Sequence, residues 1–198
     1  MISRWQILRL DSNTTAFLCC DIQERFKTHI QCFSFVANVA SCLVRAAAVF
    51  RIPVVVSEQY PERLGTTVGI ISTDSATVFP KAAFTMICPN FPAHILEKYH
   101  TFVLFGIEAH VCIQQTALDL ISRNMNVVIV TDAVSSSREL DRLTALHFLS
   151  SAGAVLMTAE SVMFELLRTK DRAEFKAISE LAKEIGEISR SDPILSTL

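Results

Sequence analysis

Five short runs rich in β-branched and aromatic residues alternate with longer stretches whose apolar residues recur at helical spacing. The runs are Thr15–Cys20, Pro53–Ser57, Thr101–Gly106, Val127–Thr131 and Ala154–Met157. This alternation predicts an α/β fold: a doubly wound, mainly parallel sheet with helices on both faces. Between the first two runs, Val36, Val39, Ala40, Leu43, Val44 and Ala47 form one helix face, and Pro53 then blocks further helix. A second helix is predicted from about His110 to Arg123. A third follows Ser136, whose spacing to Glu139 fits a capping box, and stops near Gly153. From Arg172 to Ile188 an amphipathic stripe of Phe175, Ile178, Leu181, Ala182 and Ile185 predicts a helix docked on the body or on a partner. Glu58–Pro92 holds four of the six prolines and reads as a long loop region with a short strand in it.

At 198 residues the chain is expected to be a single domain over 1–198, with its core at about 15–185, a short N-terminal arm and a C-terminal tail. With 51% hydrophobic and 19% charged residues it is too apolar for disorder. A net charge of −2 without a basic cluster makes nucleic acid an unlikely partner. The charge-free stretch Thr28 to Val44, which no other exceeds in length, is broken by polar residues, so no membrane partner is expected. The N-terminus lacks a secretory h-region, which favours an intracellular location, cytoplasmic first and mitochondrial as the lesser choice. Six cysteines, two of them adjacent, suit reduced thiols better than a disulfide framework. The five glycines form no G-x-G, so dinucleotide and P-loop phosphate binding lose their support.

In an open α/β sheet, ligands bind beyond the carboxyl ends of the strands. That rim collects Asp21, Ser57 to Tyr60, Ile107 to Cys112 and Thr131-Asp132. Cys112 falls at the first turn of a helix, where backbone N–H groups and the helix dipole favour a thiolate; an ordinary buried thiol is the competing interpretation. Asp21 ends an apolar strand and can serve as a base or as a turn cap. Lys81 sits in the apolar run Val-Phe-Pro-Lys-Ala-Ala-Phe; if buried rather than on the surface it needs an acid partner. Cys19, Cys20, Cys32 and Cys42 lie in apolar runs and read as structural thiols, and His147 as a core or interface residue.

Asp21-Ile22-Gln23, Phe79-Pro80-Lys81 with Phe84-Thr85-Met86, and Gly106 through Ala117 together resemble the isochorismatase-like cysteine hydrolases. Glu58-Gln59-Tyr60-Pro61, Leu64-Gly65, Asp132 to Ser136 and Asp141-Arg142 are similar to the subgroup of isochorismatase domain-containing proteins. The resemblance runs from about Thr15 to Ile185 and implies a three-layer α/β/α sandwich of Rossmann-like topology. It further implies a catalytic triad of Asp21, Lys81 and Cys112, and a cis peptide at Ile107–Glu108. The backbone N–H groups of Glu108 and Cys112 would form the oxyanion hole. Phe26, Glu58, Tyr60, Phe84 and His110 are expected to line a substrate pocket.

Nicotinamidases in this family bind a metal through an Asp-x-His pair, where this sequence reads Glu58-Gln59-Tyr60; neither a metal nor another cofactor is implied. True isochorismatases lack the cysteine, so Cys112 points to carbonyl chemistry. The expectation is a metal-independent hydrolase of a small amide or related carbonyl substrate, acting through a thioester, in a homo-oligomer of two or more chains. The alternatives are a catalytically silent binding or scaffold homo-oligomer of the same fold, and a ribonuclease, the label some isochorismatase-like proteins carry.

Overall fold

A computed structural model describes residues 8–191; the N-terminal arm with Arg4 and the end of the C-terminal tail lie outside the described residues. Six strands form one sheet: β1 (Thr15–Cys20), β2 (Val54–Gln59), β3 (Thr77–Lys81), β4 (Thr101–Ile107), β5 (Asn126–Ser135) and β6 (Val155–Met157). Their order is β3-β2-β1-β4-β5-β6, and every pairing is parallel. The helices are α1 (Phe33–Phe50), α2 (Pro61–Leu64), α3 (Ala93–Lys98), α4 (Gln114–Ser122), α5 (Glu139–Ser151), α6 (Ala159–Leu167) and α7 (Phe175–Ser191). A 3-10 turn at Glu24–Thr28 and a π turn at Ala109–Ile113 complete the connections.

The core has two halves, one on each face of the sheet. Side chains alternate along a strand, so Phe17 and Cys19 face α1, α6 and α7, whereas Ala16, Leu18 and Cys20 face the layer of α3, α4 and α5. Strand β1 is buried along its whole length, as a central parallel strand must be. The chain order reverses between β2-β1 and β1-β4, and the functional rim forms there.

The strand β3, with Pro80 inside it, supplies the edge of the sheet within the region expected to be mostly loop. The α7 stripe is consumed within the chain: Ile178, Leu181 and Ile185 are buried against α1 and α6. By length and composition alone α1 could cross a membrane, with 18 residues at mean hydropathy 1.7. Its apolar face is instead packed against the sheet, α6 and α7, as expected of a core helix.

Two sequence expectations need correction. Ser136 does not cap α5: β5 runs on to Ser135, the helix starts only at Glu139, and the Ser136 hydroxyl bonds His110 Nδ1 at 3.0 Å. Of the two places expected for His147, the core is excluded: it is exposed, on the same face of α5 as Leu140, Leu143 and Phe148. The helices α2, α3 and α6 are not among those the sequence pattern predicts.

Candidate active site

At the carboxyl end of β1 the backbone of Asp21 turns into the left-handed region, φ 52°, which short polar side chains tolerate. The turn leaves its carboxylate 1% exposed and clamped from two sides. Ser57, from β2, donates its hydroxyl to Oδ1 at 2.7 Å, and Lys81 Nζ, from β3, lies 2.7 Å from Oδ2. Register explains the convergence: Cys20 is opposite Ser57, and Gln59 is opposite Lys81. Three adjacent strand ends thus deliver an acid, a hydroxyl and a cation to one point.

Lys81 also donates to Gln59 Oε1 at 2.7 Å and to the carbonyls of Phe84 and Ala83 at 2.9 and 3.2 Å. Burial alone would lower its pKa, but the acidic groups facing it, Cys20, Asp21 and Cys112, with the hydrogen bond to Asp21, outweigh that and hold the ammonium above the usual lysine range. The surrounding loop is fixed by Gln23. Its amide donates to the carbonyls of Gln59 and Gly65 at 2.9 and 2.6 Å and accepts the Gln59 N–H at 2.7 Å.

Cys112 lies in the π turn that follows β4 and is buried, the residue as a whole being 7% exposed. Thr116 donates its hydroxyl to the Cys112 carbonyl at 2.6 Å and accepts the N–H of Met86 at 2.9 Å, tying the turn to the segment after β3. Cys112 Sγ, Cys20 Sγ and a carboxylate oxygen of Asp21 all lie within 4.8 Å of one another. The Ile107–Glu108 peptide is cis, and the Glu108 side chain accepts the N–H of Ser137 at 2.7 Å. Arg142, 2% exposed, donates to the carbonyls of Val134 and Thr131 at 3.0 and 2.5 Å and so braces the end of β5 beside the turn.

Cys20 was missed in the sequence as anything but a structural thiol. Burial first, then the neighbouring Cys112 and the Asp21 carboxylate, push its thiol well above the usual cysteine range. Burial and Asp21 do the same for Cys19 on the other face, and burial with Glu184 pushes Cys42 up to about 12. Period-two alternation from Asp21 back along β1 was the available signal, since it separates Cys20 from Cys19. Ser57 and Gln59 were placed on the rim from sequence, but their roles as holders of Asp21 and Lys81 required the register.

The residues expected to line a pocket are dispersed. Phe26 does line a cavity of about 530 Å³, together with Arg25, His29, Arg63 and Glu108. Glu58 is instead engaged by Thr67, accepting from its N–H at 2.7 Å and its hydroxyl at 2.8 Å. Tyr60 borders smaller hollows and is 48% exposed, and Phe84 is 53% exposed. His110 is half-buried against Ser136, with Asp141 at 3.9 Å. Among the described residues, the group with ligand atoms close enough to hold a metal is Cys20, Asp21 and Cys112. The Lys81 ammonium already occupies Asp21 Oδ2, which opposes a second cation there.

The isochorismatase domain matches residues 15–161. Isochorismatase domain-containing protein 1 of Danio rerio is 45% identical over 177 residues, which are 88% of this chain and 62% of that protein. The chain therefore spans less than two-thirds of that relative's length. Isochorismatase domain-containing protein 2 of Xenopus laevis is 34% identical over 186 residues, 93% of this chain and 91% of that one. Among solved structures, a MAR1 ribonuclease from Caenorhabditis elegans superposes with a TM-score of 0.85 at 37% identity, covering 88% of this chain and 92% of that chain. The six-stranded parallel sheet and the span of these matches place the chain in the isochorismatase family.

Proposed function

We propose that the protein is a cysteine hydrolase of a small amide or related carbonyl compound. The observation that carries this reading is the meeting, within 4.8 Å, of the Cys112 thiol at the rim of the sheet and a buried carboxylate that is paired with a lysine. In this reaction Asp21 takes the proton from Cys112, and the thiolate attacks the substrate carbonyl. The carbonyl electrons move onto oxygen, which the N–H groups of Glu108 and Cys112 receive as the oxyanion hole. As the tetrahedral intermediate collapses, Asp21 returns the proton to the departing amine and a thioester remains. Asp21 then deprotonates water, which attacks the thioester and releases the acid and the thiol. A separation somewhat beyond hydrogen-bond reach is ordinary before substrate binds. Throughout the cycle Lys81 remains charged and compensates the negative charge that passes between Asp21 and Cys112.

The cavity of about 530 Å³ bounded by Phe26 and Glu108 has room for a small substrate and meets the candidate site through Glu108, while Asp21, Lys81 and Cys112 lie outside its lining. Leu140 at 74% exposure and Phe148 at 46% on one face of α5 support association of copies, since α7 is already packed within the chain. Six free thiols suit a reducing intracellular compartment. The test is a panel of small amides, carbamoyl compounds and thioesters assayed with wild type and Cys112→Ala. Turnover that disappears with the thiol while the thermal melt is retained supports the hydrolase. No Cys112-dependent turnover, together with a stable stoichiometric partner, would favour a silent binding protein. The name of the Caenorhabditis elegans structure makes RNA the further substrate to include; RNA cleavage surviving Cys112→Ala would replace the hydrolase reading.

A further inference from the structure

The hydrolase reading uses one thiol of the site, but the site holds two. Cys20 is fully buried, faces the same side of the sheet as Cys112, and holds its sulfur within 4.8 Å of the Cys112 sulfur. Its sulfur also contacts Asp21 Oδ2 at 3.5 Å and the Ser57 hydroxyl at 3.7 Å. Nothing in amide hydrolysis calls for a second sulfur here, and an alanine or serine would fill strand β1 at similar size. The geometry points to Cys20 as a resolving thiol: when peroxide oxidises Cys112, Cys20 captures it as a Cys20–Cys112 disulfide, switching the enzyme off reversibly and sparing its nucleophile. This inference rests on the reading of Cys112 as the reactive thiol.

The chemistry balances with peroxide as the oxidant. The Cys112 thiolate attacks one peroxide oxygen, the O–O bond breaks, and hydroxide leaves and is protonated to water. Sulfur has lost two electrons and carries a hydroxyl, a sulfenic acid. Cys20 then gives its proton to Asp21, the base already in contact with it, and its sulfur attacks Cys112 Sγ. The S–O bond breaks as the S–S bond forms, and the oxygen departs with the proton as a second water. In sum, two thiols and one peroxide give one disulfide and two waters. The sulfurs must close from within 4.8 Å to the ~2.05 Å of a disulfide, a movement of side-chain scale. Asymmetry of access sets the order of events, because Cys112 is 7% exposed and Cys20 0%. Cys19, the neighbouring alternative, faces the opposite half of the core.

The experiment treats the full chain with hydrogen peroxide, blocks free thiols, and maps peptides without reduction. In wild type a Cys20–Cys112 cross-linked peptide accumulates, and dithiothreitol returns both thiols. In Cys20→Ser, and in Cys20→Ala should the first variant melt early, Cys112 proceeds to the sulfinic acid, which dithiothreitol does not reverse. Wild-type Cys112 that reaches the sulfinic acid as fast as in these variants, or that pairs with another cysteine, overturns the inference. If Cys112 meanwhile alkylates faster than the other thiols, the hydrolase reading stands without it. A Cys112 inert to both peroxide and alkylating agent removes both.

Discussion

Lys81→Met tests how the site is held together. Methionine keeps the length of the stem, but it removes the charge facing Asp21, whose side chain is 2% exposed. A buried ion pair broken from one side leaves the other charge uncompensated, at a cost of about 3–5 kcal/mol. The carbonyls of Ala83 and Phe84 and the amide oxygen of Gln59 lose their donor as well. For a chain of this size a kilocalorie moves the melting temperature by ~2–4 °C, so the variant should melt roughly 6–20 °C below wild type by circular dichroism. Adding Asp21→Asn removes the stranded charge, and the double variant should recover a measurable part of the loss. The pH dependence has a defined sign. Because Lys81 binds its proton more tightly in the folded chain, the stability it contributes is complete below the unfolded lysine value of about 10.4 and is lost as pH rises through the higher folded value. Lys81→Met should lack that alkaline decline. A Lys81→Met melt within about 2 °C of wild type, or a double variant no more stable than the single one, would refute the account of a buried, mutually dependent pair.

Other consequences follow from single contacts. Gly106→Ala would place a Cβ 2.1 Å from the Cys20 carbonyl at φ +123°, so the β1–β4 pairing beneath the site must shift; overpacking and backbone strain together predict a loss of about 2–5 kcal/mol in urea denaturation. Arg142→Lys forfeits the planar reach to Val134 and Thr131 and should cost about 1.5–3 kcal/mol by the same measurement. Burial raises the Asp132 carboxyl against its bond from the Ala159 N–H. Its folded form therefore holds the proton more tightly, and stability falls as pH rises from the unfolded aspartate value of about 3.9 through the higher folded one. Asp132→Asn keeps an acceptor and should abolish that component of a pH-resolved melt.

The sequence revealed the layers of the fold more readily than the details of the site. Strand β1 was assigned at its observed ends because a fully buried parallel strand is a continuous apolar run. Strand β3 was harder, since Pro80 and Lys81 break that pattern and the edge pairing with β2 is a long-range fact. Helix α6 carries Val162, Met163, Leu166 and Leu167 on one face after the capping Thr158, a readable signal that went unused. Helix α3 is too short for periodicity to declare itself. For Asp21 and Cys112, strand-end placement gave the right rim; Lys81 was singled out by its apolar setting and the family resemblance, and its place at the end of β3 needed the structure. What holds them, Ser57, Gln59 and Gln23, depends on register between strands, and adjacent positions in sequence do not encode it. The pocket expectations scattered because loops set the pocket walls: Glu58 is bound to Thr67, and His110 to Ser136.

The most direct test of the central claim is the alkylation rate of each cysteine against pH, resolved by peptide mass spectrometry in wild type and Asp21→Asn. The account predicts that Cys112 reacts far faster than Cys19, Cys20 and Cys42 below about pH 7, where an unperturbed thiol is almost entirely protonated, and that Asp21→Asn changes this profile. A Cys112 as inert as Cys19 in the folded protein, or a profile untouched by Asp21→Asn, would contradict the assignment of Cys112 as a nucleophile activated by Asp21.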